Sequence, residues 1–580
     1  MVRRAMALMM LLVGMTAAVV AQPRPDDDLV GLWGADRVFG PELRGELLLR
    51  RVADRWIATL GGAEASASVT ADTLRLVFPA GLGEFRGRIA AGTVRGFWVQ
   101  PVLTTAGYRF ATPVVLAAAG PQAWRGSVAP LEDRITLYLL IRRAADGTLS
   151  GSFHNPDMRW NGGLAEFRVR RDGDAIELAD PSTGRVRFKQ AYDSAQRRIT
   201  MDFGTPFALE PRDSAGAIGF LPRPGGGRYR YQVPATRTDG WVSASPEEVG
   251  VDRAVLGELV ERLVGTDPTA AGAPLVHSVL VARRGRLVLE EYFFGYSADR
   301  PHDLRSASKT VTSILAGIVM DRQPSPFTMA TAVYPYLGVA PDDPRKSGAT
   351  VGHLLTHATG LACDDNDAES PGNEDRLQRQ RQQPDWYRFI LDLPMAVDPG
   401  SRYAYCSGTL NLTGAVIQRA TGQWLPEVFD RSLAQPLGIA RYHVNLMPDG
   451  EGYSGGGLRL LPRDLLKLGQ LYLDGGRWRG RAVVGERWVR QSTAHQMATA
   501  DGGSDGFGWH RFELEWNGRK YREYEASGNG GQLVIVVPEL DLVVAFTAGN
   551  YNQYRIWRKF REELVPRYLI RAVADPGRLR

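Results

Sequence analysis

Between residues 29 and 222 the chain is built of short runs in which apolar and polar positions alternate. Glu46-Leu47-Leu48-Leu49-Arg50 and Arg134-Ile135-Thr136-Leu137-Tyr138 are two of them. Turn residues punctuate these runs. Asp146-Gly147 sits between two of them, and Asp172-Gly173 separates Phe167-Arg168-Val169 from Ile176-Glu177-Leu178, the pattern of a tight hairpin. Many short strands with regular turns predict an all-β sandwich or barrel. Trp33 and Trp124 each open a similar β-rich stretch, which leaves an internal duplication open. No catalytic constellation is visible in this region.

The pattern changes after Pro222-Arg223-Pro224-Gly225-Gly226-Gly227, and residues 223–240 read as a linker. Ser245-Pro246-Glu247-Glu248 carries helix-start residues: a Ser cap, Pro at the first position and acids in the first turn. Residues 275–282 and 287–293 predict a strand pair around Arg284-Gly285. Amphipathic helices follow. Two apolar runs, 533–537 and 542–547, flank Pro538-Glu539-Leu540-Asp541 as a buried hairpin, and a last helix starts near Ile556. Strands at both ends with helices between them predict one α/β domain over 241–575. The fold class expected is therefore multidomain: an all-β N-terminal domain, then an α/β domain.

At 580 residues, with 44% hydrophobic and 23% charged, the composition excludes disorder, collagen and coiled coil as overall descriptions. The net charge of +6 is spread thinly, so no nucleic-acid partner is expected. Arg3 and Arg4 precede an apolar stretch over 5–20, and Val19-Val20-Ala21 offers a cleavage site. Residues 1–21 thus read as a signal peptide, with a periplasmic or secreted mature chain that has no integral membrane segment. An uncleaved anchor is the alternative, although the stretch is short for a spanning helix. The two cysteines, Cys363 and Cys406, leave one disulfide and two free thiols equally open. Without a CxxC or a Cys/His cluster, neither a metal nor an organic cofactor is expected.

Ser306-Ala307-Ser308-Lys309 is the segment that carries chemistry. Of the six lysines, only Lys309 has a serine three positions earlier. Val311, Ile314, Leu315, Ile318 and Val319 then recur at helical spacing, which puts Ser306 at a helix N-terminus and Lys309 one turn on, along the same face. A serine hydroxyl needs an adjacent base to become a nucleophile. A lysine held in an apolar site loses proton affinity and serves as one.

This segment resembles the active-site helix of the serine β-lactamase and penicillin-binding-protein superfamily. Four further segments agree, in the family order. The run from Val351 through His353-Leu354-Leu355-Thr356-His357 to Gly360-Leu361 is similar to the HLLTHTSGL segment. Pro399-Gly400-Ser401-Arg402-Tyr403-Ala404-Tyr405-Cys406-Ser407 resembles PG-x-x-F-x-YSN. Gly456-Gly457-Leu458 with Asp464-Leu465 looks like GGL-x5-DL. Ser527-Gly528-Asn529-Gly530-Gly531-Gln532 stands before the terminal hairpin, as the third family motif does. The resemblance covers about residues 240–570. It implies that Ser306 is acylated, Lys309 accepts its proton, Tyr405 relays a proton to the leaving group, and the N–H groups of Ser306 and Asn529 form the oxyanion hole. Gly528, Gly530 and Ser407 complete the implied substrate-binding set. It also implies that the cation beside Tyr405 favours phenolate.

Two departures mark the branch. Tyr405-Cys406-Ser407 stands where penicillin-recognising enzymes carry Y-x-N, and Gly528-Asn529-Gly530 stands where they carry K-T-G or H-T-G. Both point to the esterase and 6-aminohexanoate-oligomer hydrolase branch, and so to hydrolysis of a small ester or amide. A β-lactamase or DD-peptidase, and a non-catalytic binding or scaffold protein, are the alternatives. A β domain that covers the catalytic mouth would limit substrate size.

Other motifs read as structural. Gly452-Tyr453-Ser454-Gly455-Gly456 matches G-x-S-x-G but lacks the strand-turn-helix context of a nucleophile elbow, so a loop bordering the pocket is expected. His353 and His357 have H-x-x-x-H spacing without the Glu of a metalloprotease. Asp364, Asp365, Asp367, Glu369, Glu374 and Asp375 read as a solvated acidic loop near the pocket mouth.

Overall fold

The computed structural model describes residues 26–574, apart from 54, 71, 91, 159–165, 203–205, 214, 225–227 and 500–502. The expected signal peptide at 1–21 and glycines 225–227 of the linker lie outside the described residues.

The β-rich region forms two closed antiparallel barrels of eight strands each. In the first, the strands run consecutively from Gly45–Val52 to Ala123–Val128, and the last pairs back onto the first. Alternate side chains fill its interior, among them Leu47, Leu49, Leu74, Phe85, Trp98 and Leu116. The second barrel takes Gly31–Gly40 together with the seven strands from Asp133–Arg143 to Pro206–Pro211, around Trp33, Leu139, Ile176, Ile199 and Leu209. The chain therefore enters the second barrel, leaves it to build the first, and returns. Trp33 lies in the second barrel, while Trp124 lies on the last strand of the first.

The C-terminal region is built on a nine-stranded sheet in the order Val242–Ser243, Arg286–Tyr292, Val276–Arg283, Leu542–Ala548, Gln532–Val537, Arg519–Gly528, His510–Trp516, Ser504–Asp505, Met497–Ala498. Three central strands are buried at every position, which is why they read as continuous apolar runs. One face packs on the helix Arg253–Val264 and the C-terminal helix. The other packs on the helices Ser308–Met320 and Pro462–Leu473 within the larger core. Ser245-Pro246-Glu247-Glu248 gives only a short 3-10 turn at Glu247–Val249. Gly250 at φ 70° ends it, and the helix proper starts at Arg253, capped by the Asp252 carboxylate.

The barrels are not a separate appendage. The strand Arg109–Gly120 of the first barrel hydrogen-bonds to Tyr442–Leu446, which continues into Arg459–Leu460 and His302–Asp303. This ladder ends three residues before Ser306, so the first barrel shares one sheet with the strand that leads into the Ser306 turn.

Candidate active site

Ser306 lies in the 3-10 turn Arg305–Ala307 that leads into the helix Ser308–Met320. The turn is held from three sides. Asp303 Oδ1 accepts the Arg305 N–H at 2.8 Å, and the Leu304 N–H donates to Leu458 O at 2.9 Å. Arg305 is left-handed at φ 48°, a conformation that costs a non-glycine residue about 1–3 kcal/mol and persists because these bonds fix it. On the third side Gly528 packs against the turn. A Cβ there would stand 2.2 Å from Leu304 O and 3.1 Å from Ala307 N, so only glycine lets the strand end come this close. The contact brings Asn529 to the cavity that Ser306 lines.

Lys309 is 4% exposed and turned inward. Its Nζ lies 3.0 Å from Ser306 Oγ, 2.9 Å from Ser407 Oγ and 2.7 Å from Gly455 O. Tyr405 stands beside both, with its ring centroid 5.0 Å from Lys309 Nζ. The segment that carries Tyr405 is held between two loops. The Ala404 and Cys406 N–H groups donate to His357 O and His357 Nδ1 at 2.8 and 3.1 Å, and Tyr405 O accepts from the Asp365 N–H at 2.8 Å. Cys363 and Cys406 form a disulfide that ties the acidic loop to this segment.

Two electrostatic expectations are corrected. Burial pushes the Lys309 ammonium down, but Tyr405, Glu374 and Asp365 outweigh it, so its proton affinity rises above the ordinary lysine value. Burial pushes the Tyr405 phenol up, and Lys309 and Ser306 recover only part of that shift. The resting pair is thus ammonium and phenol, not amine and phenolate. Both corrections come from groups far apart in the sequence.

Of the remaining predicted residues, Ser407 and Gly528 are buried, Gly530 adopts φ +103°, and the Asn529 side chain is tied to Asn552 through Nδ2 to Oδ1 at 2.6 Å. That tie leaves the Asn529 side chain engaged and its backbone as the group to meet a substrate. Ser454 donates to backbone carbonyls of Leu410 and Asn411 and is no nucleophile. His353 closes a capping box with Thr350. His357 lies beyond the helix end, buried behind Tyr405, and burial first of all drives its affinity down to about 3.

Two site groups, Asp365 and Glu374, were missed, and Gly455 was expected only as part of a loop bordering the pocket. Gly455 contributes a backbone carbonyl, which leaves no trace in a side-chain motif. Asp365 and Glu374 fold inward from the acidic loop expected to be solvated. The Asp365 carboxylate accepts the Ser407 N–H at 2.6 Å and the Glu374 N–H at 2.8 Å, and Glu374 Oε1 accepts the Tyr453 hydroxyl at 2.5 Å.

The cavity in front of Ser306 has a volume of about 1040 Å3. Its far wall comes from the barrels: Thr105, Tyr108 and Phe110 from the first, Asn155 and Asp157 from the second. Tyr108 donates to Gln378 Oε1 at 2.5 Å, which joins the barrel to the acidic loop helix Glu374–Arg379. Arg305 and Arg459 also line the cavity, and both lean on the single carboxylate of Asp303 at 3.2 and 3.6 Å.

A family model described as Beta-lactamase matches residues 260–556. A 6-aminohexanoate-dimer hydrolase of Paenarthrobacter ureafaciens is 25% identical over 281 residues, 46% of this chain and 70% of that protein. Esterase EstB of Burkholderia gladioli is 35% identical over 96 residues, 16% of this chain and 24% of its own length. A penicillin-binding protein homolog from Caulobacter crescentus has 18% identity and a TM-score of 0.41 over 52% of this chain and 93% of that one.

Proposed function

The chain belongs to the Beta-lactamase family, and from that premise we propose that this serine hydrolase cleaves an ester or amide bond of a small molecule through a Ser306 acyl-enzyme. The observation that carries the proposal is Ser306 on the cavity wall with the buried Lys309 Nζ 3.0 Å from its Oγ and the Tyr405 ring 5.0 Å from that Nζ. In the molecules whose Lys309–Tyr405 pair has first lost one proton to solvent, Ser306 Oγ attacks the carbonyl carbon as its own proton passes to that pair. The oxyanion rests on the N–H groups of Ser306 and Asn529, donors typically worth about 3 kcal/mol each when preset. The phenol then protonates the departing alkoxide or amine. Water repeats the sequence on the Ser306 ester and releases the acid.

Two features support small ester or amide substrates over penicillins or cell-wall peptides. No cation stands in the Gly528-Asn529-Gly530 strand, and the barrels wall the cavity. The two relatives named as a dimer hydrolase and an esterase lean the same way. Export belongs to the same proposal. Residues 1–21 have the composition of a signal peptide, and the Cys363–Cys406 disulfide suits an oxidising compartment.

Ser306→Ala abolishes hydrolysis of a nitrophenyl ester while thermal unfolding barely moves. Retained activity in that variant defeats the proposal. Nitrocefin, run alongside, separates the branches: fast turnover makes the protein a β-lactamase or DD-peptidase instead.

A further inference from the structure

Arg305 and Arg459 stand at the end of the ladder that joins the first barrel to the serine turn. Asp303 faces Arg459 across that strand pair, and Arg305 follows two residues later, directly before Ser306. Both arginines line the cavity that Ser306 lines. The reaction above uses neither of them.

Their charge is poorly matched. Among the described residues, Asp303 holds the one carboxylate within 4.0 Å of either guanidinium. Its Oδ2 serves both, and its Oδ1 already accepts the Arg305 backbone N–H. One negative charge thus faces two positive ones. The Nε of each arginine is buried and has no hydrogen-bond partner among the described residues. The titratable groups nearby do not restore the balance. Burial drives His443, opposite Arg459 in the ladder, down to about 3. Burial pushes the Tyr108 and Tyr551 phenols up to about 12. All three are therefore uncharged at neutral pH. Glu132, Asp157, Asp299 and Asp375 on the cavity wall are each paired with a different arginine. Glu374 acts on Arg305 from farther away, but it also acts on Lys309 and holds the Tyr453 hydroxyl.

The two guanidiniums are also set in place. Arg305 lies over the Tyr551 ring at 4.7 Å, and Arg459 lies over the Phe110 ring at 5.3 Å. Both rings line the same cavity. A planar guanidinium fork matches a carboxylate through two parallel N–H donors. Donors that are already fixed lose little freedom when an anion arrives.

We propose that Arg305 and Arg459 form an anion subsite, and that the substrate is an ester or amide bearing a carboxylate besides the bond that is cleaved. The proposal rests on the acyl-enzyme reading above. No cation stands in the Gly528-Asn529-Gly530 strand; here the positive charge comes from the ladder that the first barrel extends.

The test compares, in the full chain, esters that differ by one carboxylate. Mono-4-nitrophenyl adipate against 4-nitrophenyl hexanoate puts the charge on the acyl side. Acetylated 4-hydroxybenzoate against its methyl ester puts it on the leaving group, with phenol release as the signal. The readout is the ratio of kcat/KM, charged over neutral, within each pair. The wild-type protein is expected to prefer the charged member of one pair by about 10-fold, the worth of one hydrogen bond to a charged group, and to lose that preference as salt is added. Arg305→Gln and Arg459→Gln should each remove most of the preference. Asp303→Asn takes away the competing carboxylate and should raise it above the wild-type value. A ratio within one protein cancels any general loss of activity or of folded material, so an arginine with a merely structural role would leave it unmoved. Absence of charge preference in both wild-type pairs overturns the proposal, whether or not the variants fold. A preference that survives in both arginine variants overturns it as well. Ser306→Ala distinguishes this failure from that of the reaction: an active Ser306→Ala sinks the acyl-enzyme, whereas an inactive one beside a wild type that ignores charge sinks only the subsite.

Discussion

Replacing Gly528 by alanine tests whether the oxyanion site depends on how closely the third-motif strand meets the serine turn. No positive φ is recorded at Gly528, so alanine brings no backbone strain of that kind, only one methyl group. That methyl would lie 2.2 Å from Leu304 O, 3.1 Å from Ala307 N and 3.2 Å from Gln532 Cβ. Ordinary carbon contacts lie near about 3.5 Å, so the overlap with Leu304 O exceeds about 1 Å. The atom struck first is backbone, which cannot swing aside, so the strand end and the turn must separate. Overpacking of this kind costs about 1–3 kcal/mol of stability. A displacement of about 1 Å between nucleophile and oxyanion donors costs about 10²-fold in rate. The expected outcome is a folded protein with a modestly lower Tm and a kcat reduced about 10²-fold on a nitrophenyl ester. Gly272→Ala is the control, since its Cβ meets nothing within 4 Å. Wild-type kcat in Gly528→Ala would refute the reasoning, because it would mean that the strand end does not set the geometry at Ser306.

Three further outcomes are expected. Because Lys309 holds its proton above the ordinary lysine range, the base is mostly protonated at neutral pH, and kcat/KM should keep rising into the alkaline range; a profile flat from acid to alkaline pH contradicts this. The double variant Cys363→Ala, Cys406→Ala should lose about 2–4 kcal/mol in urea unfolding and also lose activity, since the disulfide ties the loop of Asp365 to the segment of Tyr405; unchanged stability and rate would make the crosslink incidental. Tyr108→Ala should raise the ratio of kcat/KM for bulky over acetyl nitrophenyl esters by opening the barrel wall of the cavity; an unchanged ratio contradicts a role for the barrel in substrate choice.

Some of this architecture is legible in the chain and some is not, for physical reasons. Ser306 and Lys309 stand out because a helix converts a three-residue spacing into a shared face, so local sequence encodes their proximity. The hairpin at Asp172-Gly173 and the buried terminal strands are legible because turn chemistry and burial act locally. Barrel closure is different. That Gly31–Gly40 pairs with Asp133–Arg143 rather than with its sequence neighbour Gly45–Val52 is a choice between long-range ladders of similar local pattern. The acidic loop looked solvated because six acids in a short stretch usually are. Asp365 and Glu374 turn inward only because Lys309, Ser407 and Tyr453, all distant in sequence, supply partners. The raised affinity of Lys309 follows from the same neighbours. A spacing rule places a side chain but does not report the charges that will surround it.

The most direct measurement is covalent labelling of the full chain by a fluorophosphonate, whose phosphorus takes the serine oxygen as fluoride leaves. The account predicts a single adduct, located by mass spectrometry on Ser306, absent in Ser306→Ala and slowed by about 10²-fold or more in Lys309→Ala. An adduct on another residue, or labelling of Ser306 that ignores the loss of Lys309, would contradict it.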